Sequence, residues 1–180
     1  MQKIILEGKE IVIRKLAPVD LKNPGRHLDY FNAILDEDLY ISTNKRISVK
    51  EEKDYLENML AGQAKGDRVC LVAECGGKII SHVGSALMAG KQNHIAVLGF
   101  AIANGFRRIG LGSVLMEKLL FLSAKDLSPK PRIIQSGIFS VNKASLALHE
   151  KFGFSRAALI PGQFMQDGKL MDEIIVQLYL

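Results

Sequence analysis

The sequence predicts an α/β fold: one domain whose mixed sheet contains a βαβ crossover, on three observations. Apolar spacing is helical between Asp20 and Gly66, becomes strand-like from Arg68 to Ala103, and turns helical again from Gly110. A strand, a glycine-containing turn and a helix start follow one another without interruption from Phe100 to Ser113. A strand, a short helix and two further strands then close the chain. The 180 residues fit one domain of roughly 150 residues with little to spare, and no linker, repeat or low-complexity tract divides residues 1–180.

Ile11, Val12 and Ile13 form a β-branched run that reads as a first strand, ended by Pro18 and Asp20. The helical region that follows is split by Asn23, Pro24 and Gly25. Its second part starts at a capping box, Ser48 with Glu51, ahead of Tyr55, Leu56, Met59 and Leu60. Arg68 to Glu74 and Lys78 to Leu87 are strands joined by Gly76-Gly77, both of which tolerate positive φ, and His94 to Ala103 is a third. Leu111, Val114, Leu115, Leu119 and Leu122 recur at helical spacing up to Asp126, before Pro129 and Pro131. Arg132 to Val141 reads as a strand and Asn142 to Phe152 as a helix stopped by Gly153. Phe154 to Phe164 and Met171 to Leu180 are two strands turned through Asp167-Gly168.

Composition narrows the function. With 48% apolar and 24% charged residues the chain is an ordinary globular one, and its longest apolar runs fall far short of the roughly 18 residues of a membrane span. Ile4 to Leu6 is too short for the apolar core of a secretory leader, so a cytoplasmic protein without membrane contact is expected. Cys70 and Cys75, five residues apart on one strand, point to opposite faces, which excludes a bridge between them, and no set of zinc ligands is in view. Lys and Arg exceed Asp and Glu by 24 to 19, a net +5 that favours anions. Nucleic acid is not expected among them, since Trp is absent and the 8 Phe and 4 Tyr are scattered.

The junction from Phe100 to Ser113 carries the chemistry. Gly110 and Gly112 remove the Cβ atoms that would hold a phosphate away from the free N–H groups of a first helical turn, and Arg107 and Arg108 add charge. Gly105 and Gly110 have P-loop spacing, but Leu111 and Gly112 occupy the Lys and Ser/Thr places that hold phosphate and magnesium. The third glycine of a dinucleotide fingerprint is replaced by Leu115. What remains is a pyrophosphate bound without a metal, on a long cofactor lying along the strand.

Here the sequence resembles the GNAT family of N-acetyltransferases. That family's pyrophosphate signature, Arg/Gln-x-x-Gly-x-Gly/Ala, stands as Arg107-Arg108-Ile109-Gly110-Leu111-Gly112, and its second, Asn-x-x-Ala/Ser-x-x-Leu-Tyr-x-x-x-Gly-Phe, runs from Asn142 through Ser145, Leu148 and His149 to Gly153-Phe154. The resemblance implies a mostly antiparallel sheet flanked by helices, with a splayed parallel strand pair that binds coenzyme A. It implies that acetyl-CoA is the co-substrate and a primary amine the acceptor, either a small molecule or a peptide α-amine, joined in a direct ternary complex without a metal. The main chain of Phe100, Ala101 and Ile102 would pair with the pantetheine arm, and the amides of Arg108, Ile109, Gly110, Leu111, Gly112 and Ser113 would take the pyrophosphate with Arg107. Asn142 and Ser145 would reach the pantetheine side. These two lie at i and i+3 with His149 at i+7, so all three share one helix face. The resemblance leaves a homodimer open.

Two departures bear on mechanism. An alkyl ammonium has a pKa of roughly 10.4 and needs a base, yet the strand before the loop, His94 to Phe100, lacks the Glu often found there. His94, Glu74, Asp172 or a relayed water stand as candidates. His149 replaces the Tyr that protonates the leaving thiolate in many members and is the expected general acid. An N–H near Ile102 would hold the oxyanion. The alternative reading is a non-catalytic sensor or scaffold that binds acyl-CoA on the same fold. His27 and His82 carry no expected role.

Overall fold

Glu7-Gly8 and Gly76-Gly77 fold back two hairpins, because all four residues take positive φ (47°, 74°, 55° and 77°), the hand that matches strand twist. The first joins β1 (Gln2–Leu6) to β2 (Lys9–Lys15), the second β3 (Arg68–Cys75) to β4 (Lys78–Leu87). The structure, a computed structural model, describes residues 1–37 and 40–180. β1 was not expected from the sequence: it is an edge strand with Ile5 74% exposed, so no alternation of apolar and polar residues announces it.

Between these hairpins lie α1 (Gly25–Asp36) and α2 (Val49–Lys65). The expected capping box is present: Ser48 Oγ accepts from the Glu51 amide at 3.2 Å, while the Ser48 amide donates to Glu51 Oε2 at 2.8 Å. Gly66, at φ 79°, ends α2 in the left-handed conformation. β5 (Ile95–Ile102), α3 (Leu111–Asp126) and β6 (Ile133–Phe139) form the crossover, and α4 (Lys143–Lys151), β7 (Ser155–Gln166) and β8 (Lys169–Tyr179) complete the chain.

The eight strands make one sheet in the order β1-β2-β3-β4-β5-β6-β8-β7, antiparallel except for β5 and β6. α3 covers one face through Leu111, Leu115, Met116 and Leu119, packed with Leu71, Val83 and Ile134. α1 and α2 cover the other, where Tyr30, Ile34 and Leu56 meet Cys70, Val72 and Ile79. Cys70 belongs to this second cluster and Cys75 to the rim of the first, on opposite faces as their spacing requires, and both are free thiols.

The functional consequence lies at the parallel pair. β5 and β6 are in register only over Ile95↔Ile133, Ala96↔Ile134 and Val97↔Gln135. Beyond that, β5 stays with β4 as far as Ile102↔Ser81, and β6 stays with β8 as far as Phe139↔Glu173. The sheet therefore opens into a splay, with Leu98 to Ile102 on one lip and Ser136 to Phe139 on the other.

Candidate active site

The splay leads into a cleft of about 620 Å³ that runs from α4 on one face of the sheet to α1 and α2 on the other. The turn after β5 delivers the chain into α3 through Gly110, whose φ of 91° only glycine adopts without strain. The amides of Leu111 and Gly112 belong to the first helical turn and have no helical carbonyl to meet, so they remain donors for an anion. A Cβ on Gly112 would lie 3.4 Å from Leu148 and 3.6 Å from Ile102. α3 therefore packs on α4 and β5 at ordinary van der Waals distance, and that packing would admit a Cβ here.

The two arginines of the loop differ. Arg107 donates from Nε to the Ile102 carbonyl at 2.7 Å and pairs with Glu37, which also accepts from the Asn104 amide at 3.1 Å. Its guanidinium braces the loop against α1. Arg108, with φ 63°, is exposed. Lys151, overlooked in the sequence, donates to Ser113 Oγ at 3.0 Å and brings a second cation to the helix start.

On the lip of the splay the three β5 residues also divide. The Ala101 carbonyl accepts from Tyr30 Oη at 2.9 Å and Ser81 Oγ at 2.6 Å, and the Tyr30 hydroxyl accepts in turn from the His82 amide at 3.2 Å. Tyr30 is wedged into the β4–β5 ladder there, which uses the Ala101 carbonyl. Ladder alternation turns the main chain of Phe100 and Ile102 the other way, to the open edge.

Asn142, Ser145 and His149 all line the cleft along one face of α4, as their spacing requires. Asn142 Oδ1 caps that helix, accepting from the Ser145 amide at 3.1 Å. His149 is 1% exposed and sits edge-on to Phe154. Its Nδ1 lies 2.8 Å from the Ser145 carbonyl, an acceptor, so Nδ1 carries the proton and Nε2 the lone pair. Nε2 is buried without a hydrogen-bond partner among the described residues, and burial pushes the ring below its ordinary pKa. A neutral ring in this tautomer accepts a proton before it can give one.

The base candidates drawn from the sequence lie elsewhere. Glu74 is held by Arg14 and Arg26, Asp172 Oδ1 accepts from the Gly162 amide at 2.9 Å, and neither they nor His94 line the cleft. Two other carboxylates do: Glu173 on β8 and Glu52 on α2. The place that a Cβ of Gly137 would take is filled by Glu173, whose Oε1 is 1.9 Å from it. Glycine at 137 is what allows this carboxylate to lie over the open lip of β6, and burial pushes its pKa up. Beyond β5 the cleft is lined by His27, Tyr30, Glu52, Tyr55 and His82. Among the described residues no group of three or more His, Cys, Asp or Glu side chains is gathered as a metal site would need, and no helix is long and apolar enough to cross a membrane.

A mixed sheet opened at its one parallel pair among the described residues, beside a glycine-capped helix start, is the acetyltransferase class of α/β fold. The acetyltransferase (GNAT) family model matches residues 31–154, and the chain belongs to that family. Solved structures agree on the fold. A GNAT-family acetyltransferase of Streptococcus pneumoniae superposes with TM-score 0.82 at 21% identity, over 94% of this chain and 99% of that one. The ribosomal-protein-alanine N-acetyltransferase of Brucella melitensis gives 0.79 at 23% identity, over 94% and 99%. Salmonella typhimurium yncA, solved with its cofactor acetyl-CoA, gives 0.80 at 20% identity, over 94% of each chain. A comparison with curated protein sequences finds no match.

Proposed function

We propose that this protein transfers the acetyl group of acetyl-CoA to a primary amine in a direct ternary complex. The observation that carries the reading is the splay itself: β5 and β6 part after three residue pairs, directly beside the glycine-capped start of α3. A pantetheine arm fits there as an added strand on the main chain of Phe100 and Ile102. The pyrophosphate falls to the amides around Gly110, Leu111 and Gly112, with Arg108 and Lys151 supplying charge and Ser145 facing the arm.

Acetyl-CoA supplies an activated acyl carbon; the protein supplies position and proton transfer. Glu173 over the open lip takes a proton from the incoming ammonium, and burial, by raising its pKa, makes it a better acceptor. The Ile102 amide holds the oxyanion as negative charge develops. His149, neutral and unpartnered at Nε2, takes the second proton from the attacking nitrogen and returns it to the leaving sulfur. The expected acid thus works as a relay that starts as an acceptor. One proton ends on the thiol and one passes from Glu173 to solvent.

The test is free-thiol release from acetyl-CoA against peptides, small amines and polyamines, with calorimetric titration of coenzyme A alongside. Amine-dependent release with coenzyme binding is expected. Binding without release from any amine would favour the sensor reading, and absence of both would overturn the assignment.

A further inference from the structure

The part of the cleft beneath α1 and α2 holds buried polar groups that the chemistry above does not use. Asp20 accepts from both Arg14 Nη atoms at 2.7 and 2.6 Å and from the Ala17 amide at 2.9 Å. Its Oδ1 also lies 3.1 Å from His27 Nε2, which therefore carries the ring proton. Nδ1, an acceptor in the tautomer that keeps the proton on Nε2, is buried without a hydrogen-bond partner among the described residues, and His27 is 2% exposed on the cleft wall. Glu52, 4% exposed on the same wall, has no hydrogen bond or ion pair from its carboxyl among the described residues. Burial raises its pKa.

The surroundings fit a cation. The ring of His82, pushed down to about 3 by burial, lies 5.4 Å from His27, 6.3 Å from Tyr55 and 6.5 Å from Tyr30, and its Nε2 is 3.4 Å from Cys70 Sγ. Burial likewise holds Tyr55 and Cys70 in their neutral forms by raising both to about 12. Arg14 is committed to Asp20 and Glu74, Arg26 to Glu74, and Arg68 points to Met59 Sδ two turns of α2 away from Glu52. Two unpartnered acceptors walled by aromatic rings ask for a ligand that only donates, as an ammonium does.

We propose that Glu52 and His27 bind a second ammonium group of the acceptor, so that linear diamines and polyamines are preferred over monoamines. His27 stands beside His82 on β4, and α2, which carries Glu52, packs on β3, whereas Glu173 lies over β6. With strands about 4.8 Å apart, and β5 and β6 splayed further, the two carboxylates stand on the order of 10 to 15 Å apart. That span suits an acceptor with ammonium groups separated by several carbon atoms, one over Glu173 and one in the Glu52 subsite. The inference rests on the amine acetyltransferase reading for its reaction, but not for its binding.

The experiment titrates putrescine, spermidine and butylamine calorimetrically into the full chain, alone and saturated with coenzyme A, and compares kcat/KM for the same amines. Spermidine or putrescine should exceed butylamine by about tenfold to a hundredfold, the worth of one or two charge-assisted hydrogen bonds. Glu52→Gln, which keeps size and removes charge, should collapse that preference, and Glu52→Asp should restore part of it. Equal affinity for diamine and monoamine would overturn the subsite, as would a preference that survives Glu52→Gln or a stronger preference for carboxylate-bearing amines. Failure of coenzyme A binding and of thiol release would sink the acetyltransferase reading alone, because the titration without coenzyme still decides whether Glu52 binds the second ammonium.

Discussion

The two faces of the sheet meet at the splay and, in the proposed reading, recognise charge by different means. On the proposed coenzyme face the groups are main-chain amides and one helix end, supplied by the continuous stretch from β5 into α3 and seconded by α4. On the proposed acceptor face they are buried or half-buried side chains brought together from distant segments: His27 on α1 with Asp20 behind it, Glu52 on α2, His82 on β4 and Glu173 on β8. An anion can be held by local backbone geometry because every peptide offers a donor. An ammonium needs carboxylates and lone pairs, which only side chains concentrate. They must be buried to discriminate, and the surrounding protein must then offset the cost of burying them.

If this division is right, variants on the two faces should separate in their readouts. The largest effect is expected from Glu173→Gln, which should lower kcat by roughly two to four orders of magnitude, the usual worth of a positioned base, with coenzyme A affinity close to wild type. Glu173 must be ionised to accept, and burial raises its pKa, so wild-type kcat should fall as pH drops through that raised value; the limb should vanish in the variant. A limb that survives would move the base elsewhere.

Asp20→Asn sharpens the comparison through stability. Burial works to raise the Asp20 carboxyl, but bonds from Arg14, His27 and the Ala17 amide outweigh it and hold it far below the ordinary range. Its contribution is therefore present above the unfolded carboxyl's pKa and is lost as pH falls through the depressed one. Removing its charge leaves Arg14 and His27 short of their partner and should cost about 3 kcal/mol in denaturant unfolding at pH 7, with a smaller loss at acid pH. A pH-independent difference would show that the charge is not what matters.

His149→Phe should reduce kcat by about tenfold to a hundredfold, at the low end for acid–base residues because a thiolate leaves readily. An unaltered rate would leave His149 a packing residue against Phe154. The smallest effect is expected on the coenzyme face from Gly110→Val. Its left-handed φ costs a branched residue about 1–2 kcal/mol, which should weaken coenzyme A binding by about tenfold while the diamine-to-monoamine ratio holds. Unchanged affinity in the folded variant would break the loop assignment.

Legibility in the sequence followed the same division. The order of elements, the Ser48–Glu51 box, the Gly76-Gly77 hairpin and both glycine-bearing motifs could be read because each depends on residues within a few positions of one another. β1 could not, since an exposed edge strand is defined by its pairing with β2 and has no pattern of its own. That Arg107 pairs with Glu37, seventy residues away, could not be read either, because only the fold brings the two together. His149 was visible as a residue in place of Tyr, but its tautomer depends on the carbonyl of Ser145 one helical turn back, and its lone pair on burial.

The sequence by itself determined the family, the mixed sheet with its crossover and the glycine-bearing turn into α3, because each is encoded in the local spacing of residues. Only the tertiary structure decided which acids face the cleft. Glu74 and Asp172 are tied up away from it, while Glu52 and Glu173 were given no role by their neighbours in the chain. A carboxylate's chemistry depends on burial and on its nearest partners, and α2 and β8 meet those partners only after the sheet has closed over them.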